Sequence, residues 1–366
     1  MKFACQTPTM LRGLGVVARA LAARTANPIL DGVLIRAIEG ALELTGTDGT
    51  ISIVTTVEAE IDEPGEVVLP GKLFLDVVRR MPQARMSIAV GDTYAAAVKC
   101  QGARVTLAGQ DGALFPALPT ISDAQSFLIP QALLRDMMQE TAFAISVDDP
   151  RKVLNGCLLE IAHGEARMVA LDGFRLALRL ARLGGDAPEL SAIIHGRAVA
   201  EIAKLLSGGD DMVRIMIGRT QMAVDLHETQ VYSRLIEGEY VNYRQIMPKS
   251  FATRVTFDRD RLATCVDRAS LIAREGRNNL IKIRIEDGCM IITSNYESGD
   301  AYEAVEAEVE GAGLSIAFNV LYLSDILRVL PEGEATMRFN SPVSPCIVCP
   351  VTGDDYAYLL LPVRTK

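Results

Sequence analysis

Apolar residues recur along the chain with two periods. In LFLDVVRRMP (73–82) they fall at Phe74, Val77, Val78 and Met81. In AVAEIAKLLS (198–207) they fall at Val199, Ile202, Leu205 and Leu206, and in YLSDILRVLP (322–331) at Leu323, Ile326, Leu327 and Leu330. Spacings of three and four put each set on one face of a helix. Each segment runs into a breaker: Pro82, Gly208-Gly209 or Pro331. Three more helices are predicted from Met10, Leu11, Leu14, Val17 and Leu21, from Leu133, Leu134, Met137 and Met138 after Pro130, and from Leu262, Val266, Ala269 and Ile272. Between them lie short stretches rich in Val, Ile and Thr, such as SIAVGDTYAAAVKC, ARVTLAG, VRIMIG and QMAVDL, bounded by Gly, Pro and Asp. These alternate as strands joined by hairpins do. The expected class is α+β, helices packed on antiparallel sheet.

The pattern repeats. ILDGVLIRAIEGALELTGTDGT (29–50) aligns with VLNGCLLEIAHGEARMVALDGF (153–174), pairing Leu30 with Leu154, Gly32 with Gly156 and Asp48 with Asp172 at one common offset. A third copy, LIKIRIEDGCMIITSNYESG (280–299), places Asn295 where the others have aspartate. The period, about one third of the 366 residues, exceeds any solenoid repeat and matches a small domain. Three similar domains are expected, at 1–122, 123–250 and 251–366.

No apolar run approaches the ~20 residues of a membrane span, and Arg12 and Arg19 interrupt the start that would otherwise suggest a signal peptide. The seven cysteines, scattered and mostly within apolar segments, suit reduced core thiols in a cytoplasm. Cys346 and Cys349 have the spacing of half a zinc site, but there are three histidines and no second such pair, so no metal site is expected. GEVVLPGK (65–72) resembles a phosphate loop, yet Leu73 stands where a hydroxyl is needed, and a turn before a helix is the reading. Gly13 and Gly15 lack the preceding strand of a dinucleotide fingerprint and read as a close-packed or frayed helix turn. Asp48, Asp172 and Asn295 are expected to make turns at strand ends. No catalytic constellation is visible and no cofactor is called for.

Net charge is −9, and the three thirds carry −1, −3 and −5 in order. Acidic residues gather in EAVEAEVEG at Glu303, Glu306, Glu308 and Glu310, and no basic residue lies between Arg284 and Arg328. Cations concentrate instead on helix faces, seven apart at Arg12 and Arg19, Arg197 and Lys204, and Arg261 and Arg268, with Arg79 and Arg80 on the first-third helix. Arg24, Arg151, Lys152, Arg274 and Arg277 lie in nearby loops. Equivalent helices turned the same way would form one positive lining, with Arg24, Arg79, Arg80, Arg151, Lys152, Arg197, Lys204, Arg268 and Arg274 as candidate phosphate contacts.

An ordered set of short segments, from Met1-Lys2-Phe3 through Pro28-Ile29-Leu30, Leu44 to Asp48, Leu154-Asn155-Gly156, Asp172 to Ala177, Tyr243-Arg244, Met247-Pro248-Lys249 and Phe318-Asn319-Val320 to Pro362-Val363-Arg364, resembles the β subunit sliding clamps of bacterial DNA polymerase III over essentially the whole length. The resemblance implies a head-to-tail homodimer closed into a ring around double-stranded DNA, helices inside and sheets outside. It implies a processivity subunit without its own catalytic centre, opened by a separate ATP-hydrolysing clamp loader. It also implies a pocket that holds polymerase subunits, the loader and repair factors through short peptide motifs. The matching positions are Leu154, Gly173, Phe174, Arg175, Leu176 and Val241, then Ile246, Asn319, Tyr322, Val343, Pro362, Val363 and Arg364. The implied dimer contact joins Val105 and Leu107 to Leu271 and Ile272.

Phe174 stands where the family often has histidine, Leu171 where it has threonine and Val241 where it has proline, and the chain runs on to Thr365-Lys366. Such departures would suit a clamp-like paralogue with altered partners. The other alternative, a metabolic enzyme of three fused α+β domains, requires a polar pocket with perturbed acid or base groups, which the sequence does not display.

Overall fold

The computed structural model describes the chain except for residues 23–26, 184–186, 354 and 365–366. Among the described residues are seven α-helices: α1 (Thr7–Val17), α2 (Gly71–Arg80), α3 (Gln131–Ala142), α4 (Gly196–Leu205), the short α5 (Tyr243–Ile246), α6 (Arg259–Ala273) and α7 (Val320–Val329). One element order occurs three times: strand, helix, three strands, strand, helix, three strands. The copies run from Lys2 to Leu107, from Gln125 to Arg234 and from Thr253 to Leu360, the first interrupted by the extra short strand Glu60–Glu63. The α+β class and the three similar copies expected from the sequence are thus present, and every described strand pairing is antiparallel.

The chain divides into two compact units, residues 1–132 with 201–235, and 133–200 with 236–366. The first holds a five-stranded sheet ending in Ala103–Leu107 and a nine-stranded sheet in which Ile51–Glu58 pairs with Thr229–Arg234. The second holds one twelve-stranded sheet, in which Arg175–Arg182 pairs with the late strand Tyr356–Leu360. Middle-third strands thus complete sheets begun by both ends of the chain.

The predicted helices form on the predicted faces. Phe74 and Val78 of α2, Val199 and Ile202 of α4, and Leu323, Ile326 and Leu327 of α7 are buried. All three begin two residues before the segments read as helical, at Gly71, Gly196 and Val320, because the entering strand runs directly into the first helical turn. At Gly71 an added Cβ would lie 2.4 Å from Leu21 Cδ1, and at Gly196 2.8 Å from Ile145 Cγ2. Only glycine lets backbone and core approach this closely. Leu21, taken as part of the first helix, lies beyond it, after the 3₁₀ turn Ala18–Ala20. The segment 65–70 is a strand, not a turn; it pairs with Gly32–Ile38, and Val67, Val68 and Leu69 are buried.

The repeated aspartates make equivalent turns. Asp48 Oδ1 accepts from the amides of Thr50 and Ile51, and Asp172 Oδ1 from those of Phe174 and Arg175, at 2.8–3.0 Å. Gly49 and Gly173 follow at φ 88° and 91°, a region that favours glycine. Asn295 does not repeat this role; it lies within the strand Cys289–Tyr296, paired with Asp300. All seven cysteines are free, six of them buried, Cys346 and Cys349 in one strand. Among the described residues no helix is long and apolar enough to cross a membrane.

Candidate functional site

The second unit gathers turn, helix and C-terminal pieces around Arg175. The Asp172 turn delivers Arg175 to the start of its strand, and the guanidinium is then fixed on several sides. Nε donates to Asp172 Oδ2 at 3.0 Å, Nη1 to Asp325 Oδ2 at 2.6 Å and Nη2 to the carbonyl of Phe143 at 2.6 Å. It lies over the rings of Tyr322 and Phe143, 4.5 and 5.2 Å from their centroids. Phe174 stacks on the other partner, Tyr322, with centroids 5.9 Å apart, yet is 58% exposed.

Beneath this polar rim is an apolar floor. Leu154 and Leu176 are fully buried in a cluster with Leu171, Ile193 and Leu359, and Val241 packs against it half-buried. Those two leucines therefore belong to the core as much as to any pocket. Asn319 caps α7, its Oδ1 accepting from Leu321 N at 2.9 Å, which places Tyr322 in the first turn. The C-terminal segment is held by Leu361 N donating to Phe174 O and Val363 N to Ala317 O, with Pro362 between them. Ile246 and Val343 are exposed apolar side chains outside the cluster, and Arg364 is exposed.

Asp325 and Phe143 complete the site and were not singled out from sequence. Asp325 lies three residues after Tyr322, on the same helical face, a spacing that links the two. Phe143 acts through its ring and carbonyl, and nothing in its local sequence marks it.

Of the cations expected to meet phosphate, Arg79, Arg80, Arg151, Lys152, Arg197, Lys204, Arg268 and Arg274 are described, whereas Arg24 lies outside the described residues. Several are engaged. Arg268 makes a two-pronged pair with Glu303 at 2.6–2.7 Å, and this pairing holds the Glu303 carboxyl below its usual range. Arg151 pairs with Asp149 at 3.1 Å, Arg79 with Asp76 at 2.9 Å and Lys204 with Glu201 at 2.8 Å. Arg80 donates to a backbone carbonyl, and Lys152 is exposed in the 3₁₀ turn Lys152–Asn155. Among the described residues no group of metal-ligating side chains occurs.

Models of the three domains of the DNA polymerase III beta subunit match residues 1–119 (N-terminal domain), 128–242 (central domain) and 244–364 (C-terminal domain). The chain belongs to the DNA polymerase III beta subunit family. The beta sliding clamp of Bacillus subtilis is 32% identical over the full length of both chains, and that of Synechocystis 31% over 100% of this chain and 99% of the relative. The crystal structure of the Bacillus subtilis clamp superposes with TM-score 0.95, and that of the Pseudomonas aeruginosa beta subunit, 30% identical, with 0.93, each covering both chains fully. The chain is thus a sliding clamp subunit rather than a catalyst.

Among the described residues, Ala103–Leu107 ends its sheet with one edge unpaired, and in Gly299–Gly311 the residues 299–306 pair on one side alone. Of the four positions implied as a dimer contact, Leu107 is buried in its own subunit and Val105 half-buried, whereas Leu271 is 67% exposed and Ile272 half-buried beside it.

Proposed function

We propose that two copies of this chain close head to tail into a ring around duplex DNA and hold the replicative polymerase and other factors to it. The threefold element order in a chain that matches the beta-subunit models from end to end carries this reading. Three domains of one kind, doubled, enclose a duplex that no single domain can surround. A topological link needs no tight local contact, so diffuse, sequence-independent phosphate contacts suffice and permit sliding. Domain boundaries at 122/123 and 250/251 suit this reading, since they fall between copies of the element order.

Unpaired edges at Ala103–Leu107 and at residues 299–306 suit antiparallel joining of two copies, Val105 with Leu271 and Ile272 supplying apolar contact. Arg104 on the first edge would meet acidic Asp300 on the second, which favours unlike over like edges. Partner peptides of the polymerase, loader and repair factors would lie on the Arg175 site, with Phe174, Ile246 and Val343 as exposed apolar contacts, and the ring would work in the cytoplasm beside the chromosome. Each apolar anchor buried there is worth ~1.5–3 kcal/mol before ordering costs. The test is retention after loading. On a nicked circle the protein should stay bound until the circle is cut; equal loss from circular and linear DNA sinks the ring.

A further inference from the structure

Recurrence of the cation spacing in three domains does not bring recurrence of net charge. The helical face of the first copy, α1 with its following 3₁₀ turn and α2, carries Arg12, Arg19, Lys72, Arg79 and Arg80 against Asp76 alone. Helices α3 and α4 carry three cations, Arg135, Arg197 and Lys204, against three carboxylates, Asp136, Glu140 and Glu201. Helices α6 and α7 carry Arg259, Arg261, Arg268 and Arg328 against Asp260, Asp267 and Asp325.

Pairing sharpens the contrast. Every arginine of α6 and α7 has a carboxylate partner: Arg259 with Asp260, Arg261 with Glu306, Arg268 with Glu303 and Arg328 with Asp325, at 2.6–3.1 Å. On the first copy, Arg12, Lys72 and Arg80 are exposed and have no carboxylate partner among the described residues. Arg19 and Lys204 share the single carboxylate Glu201. A groove of about 560 Å³ runs between Leu11, Arg12, Gly15 and Arg19 on one side and Lys204 on the other. A separate groove between α6 and α7, about 410 Å³, is lined by Arg259 and Arg328 but also by Asp267.

Resting on the DNA reading above, we propose that duplex phosphates are engaged mainly by the α1–α2 face of each subunit, centred on Arg12, Lys72 and Arg80, and that the α6–α7 face is electrostatically closed. A cation already shared with a carboxylate gains little from phosphate, because the new contact must displace the old one and leaves a like charge beside the phosphate. A cation with no partner gives up only water and releases a condensed counterion. In the second unit the phosphate contacts fall to loop cations, Lys152, Arg274 and Arg277, rather than to helices.

Two triple variants test this: Arg12→Gln/Lys72→Gln/Arg80→Gln, and Arg261→Gln/Arg268→Gln/Arg328→Gln. Each removes three positive charges from a chain of net charge −9, so a difference between them cannot come from net charge. The full-length protein is titrated onto a fluorescently labelled duplex at several salt concentrations, and thermal melting checks that each variant is folded; the single Lys72→Gln serves if a triple is not. Each lost phosphate contact lowers the slope of log K against log salt by about 0.9. The first triple should lower it by roughly 2–3 and the second by less than about 1. Equal losses, or a larger loss in the second triple, overturn the proposal while leaving DNA binding intact. Wild-type protein with no salt-dependent affinity would instead remove the DNA reading itself.

Discussion

Arg175 and Asp325 meet at 2.6 Å although 150 residues separate them in the chain. The same guanidinium is bonded to Asp172 and lies over Tyr322, so one side chain joins a hairpin turn of the middle domain to α7 of the last. Its side chain is about nine-tenths buried, and both carboxylates are partly so. Arg175→Ala should therefore cost ~2–3 kcal/mol, less than a fully buried pair because Asp325 remains partly solvated. Arg175→Lys should recover little, since an ammonium cannot reproduce the fork or the stacking. Denaturant unfolding of the three proteins checks this; a lysine variant as stable as wild type would show that charge alone matters.

Phe174 and Leu176 are neighbours in sequence with opposite duties. Leu176 is buried in the apolar cluster, and its replacement by alanine should cost ~2–5 kcal/mol. Phe174 is exposed and rests on Tyr322, so Phe174→Ala should leave unfolding within ~0.5 kcal/mol of wild type. If partner peptides use this ledge, the same change should weaken them by ~1–2 kcal/mol, a loss of roughly five- to thirtyfold. Calorimetry with a clamp-binding peptide separates the two; undiminished affinity places the peptide elsewhere.

Gly13 and Gly15 in α1 should respond in opposite directions. A Cβ at Gly13 would stand 2.6 Å from Val57 Cγ1 and 2.8 Å from Leu44 Cδ1, whereas Gly15 faces open space. Gly13→Ala overpacks the helix against the sheet, at ~1–3 kcal/mol. Gly15→Ala gains ~0.5–1 kcal/mol from a less flexible unfolded chain. Melting temperatures that move the same way for both would contradict this packing.

Leu271 is a clean probe of assembly because its exposure gives it little part in the subunit core. Leu271→Asp should leave the subunit folded but shift native mass from dimer to monomer. A dimer unaffected by the change would exclude this contact. Leu107→Asp is a poor substitute: that side chain is buried, and its loss would confuse unfolding with dissociation.

Cys5 and Cys157 should be silent at neutral pH. Burial pushes Cys5 up to about 11 and Cys157 up to about 12, so thiolate at pH 8 is about one part in a thousand or less. Cys289, the single cysteine that is not buried, should be alkylated first, as peptide mass mapping would reveal. Sign follows from linkage: unfolded thiols ionise near pH 9 while the buried ones stay protonated, so the unfolded state binds fewer protons. This contribution to stability is present below that pH and is lost as pH rises toward the folded values. Unfolding free energy that climbs between pH 8 and 10 would argue against it.

Much of the helical framework was legible because a helix is a local object. Phe74, Val78, Ile202, Leu323 and Ile326 report their own burial through spacing alone, and Asp48 and Asp172 bind amides only two and three residues away. Even there, the first turn of α2, α4 and α7 escaped notice, since Gly71 and Gly196 are set by what presses on them rather than by hydrophobicity. The partners of Arg175 were less accessible. Tyr322 was reached by resemblance, but Asp325 belongs to a copy joined to Arg175 through the pairing of Arg175–Arg182 with Tyr356–Leu360, and Phe143 is met 32 residues away; periodicity registers neither.

Charge divides along the same line. Amino-acid order by itself determined the threefold repeat, the amphipathic helices and the places where cations recur, because each depends on neighbours within a turn or two. Only the tertiary structure decided which of those cations pair with a carboxylate. Arg268 and Arg12 look alike in sequence, each on a helix in a seven-residue pair. Glu303, brought beside α6 by a strand thirty-five residues on, pairs with the first, while the second stays exposed. Electrostatic interaction falls with distance in space, not along the chain, and that distance exists only once the sheet has formed.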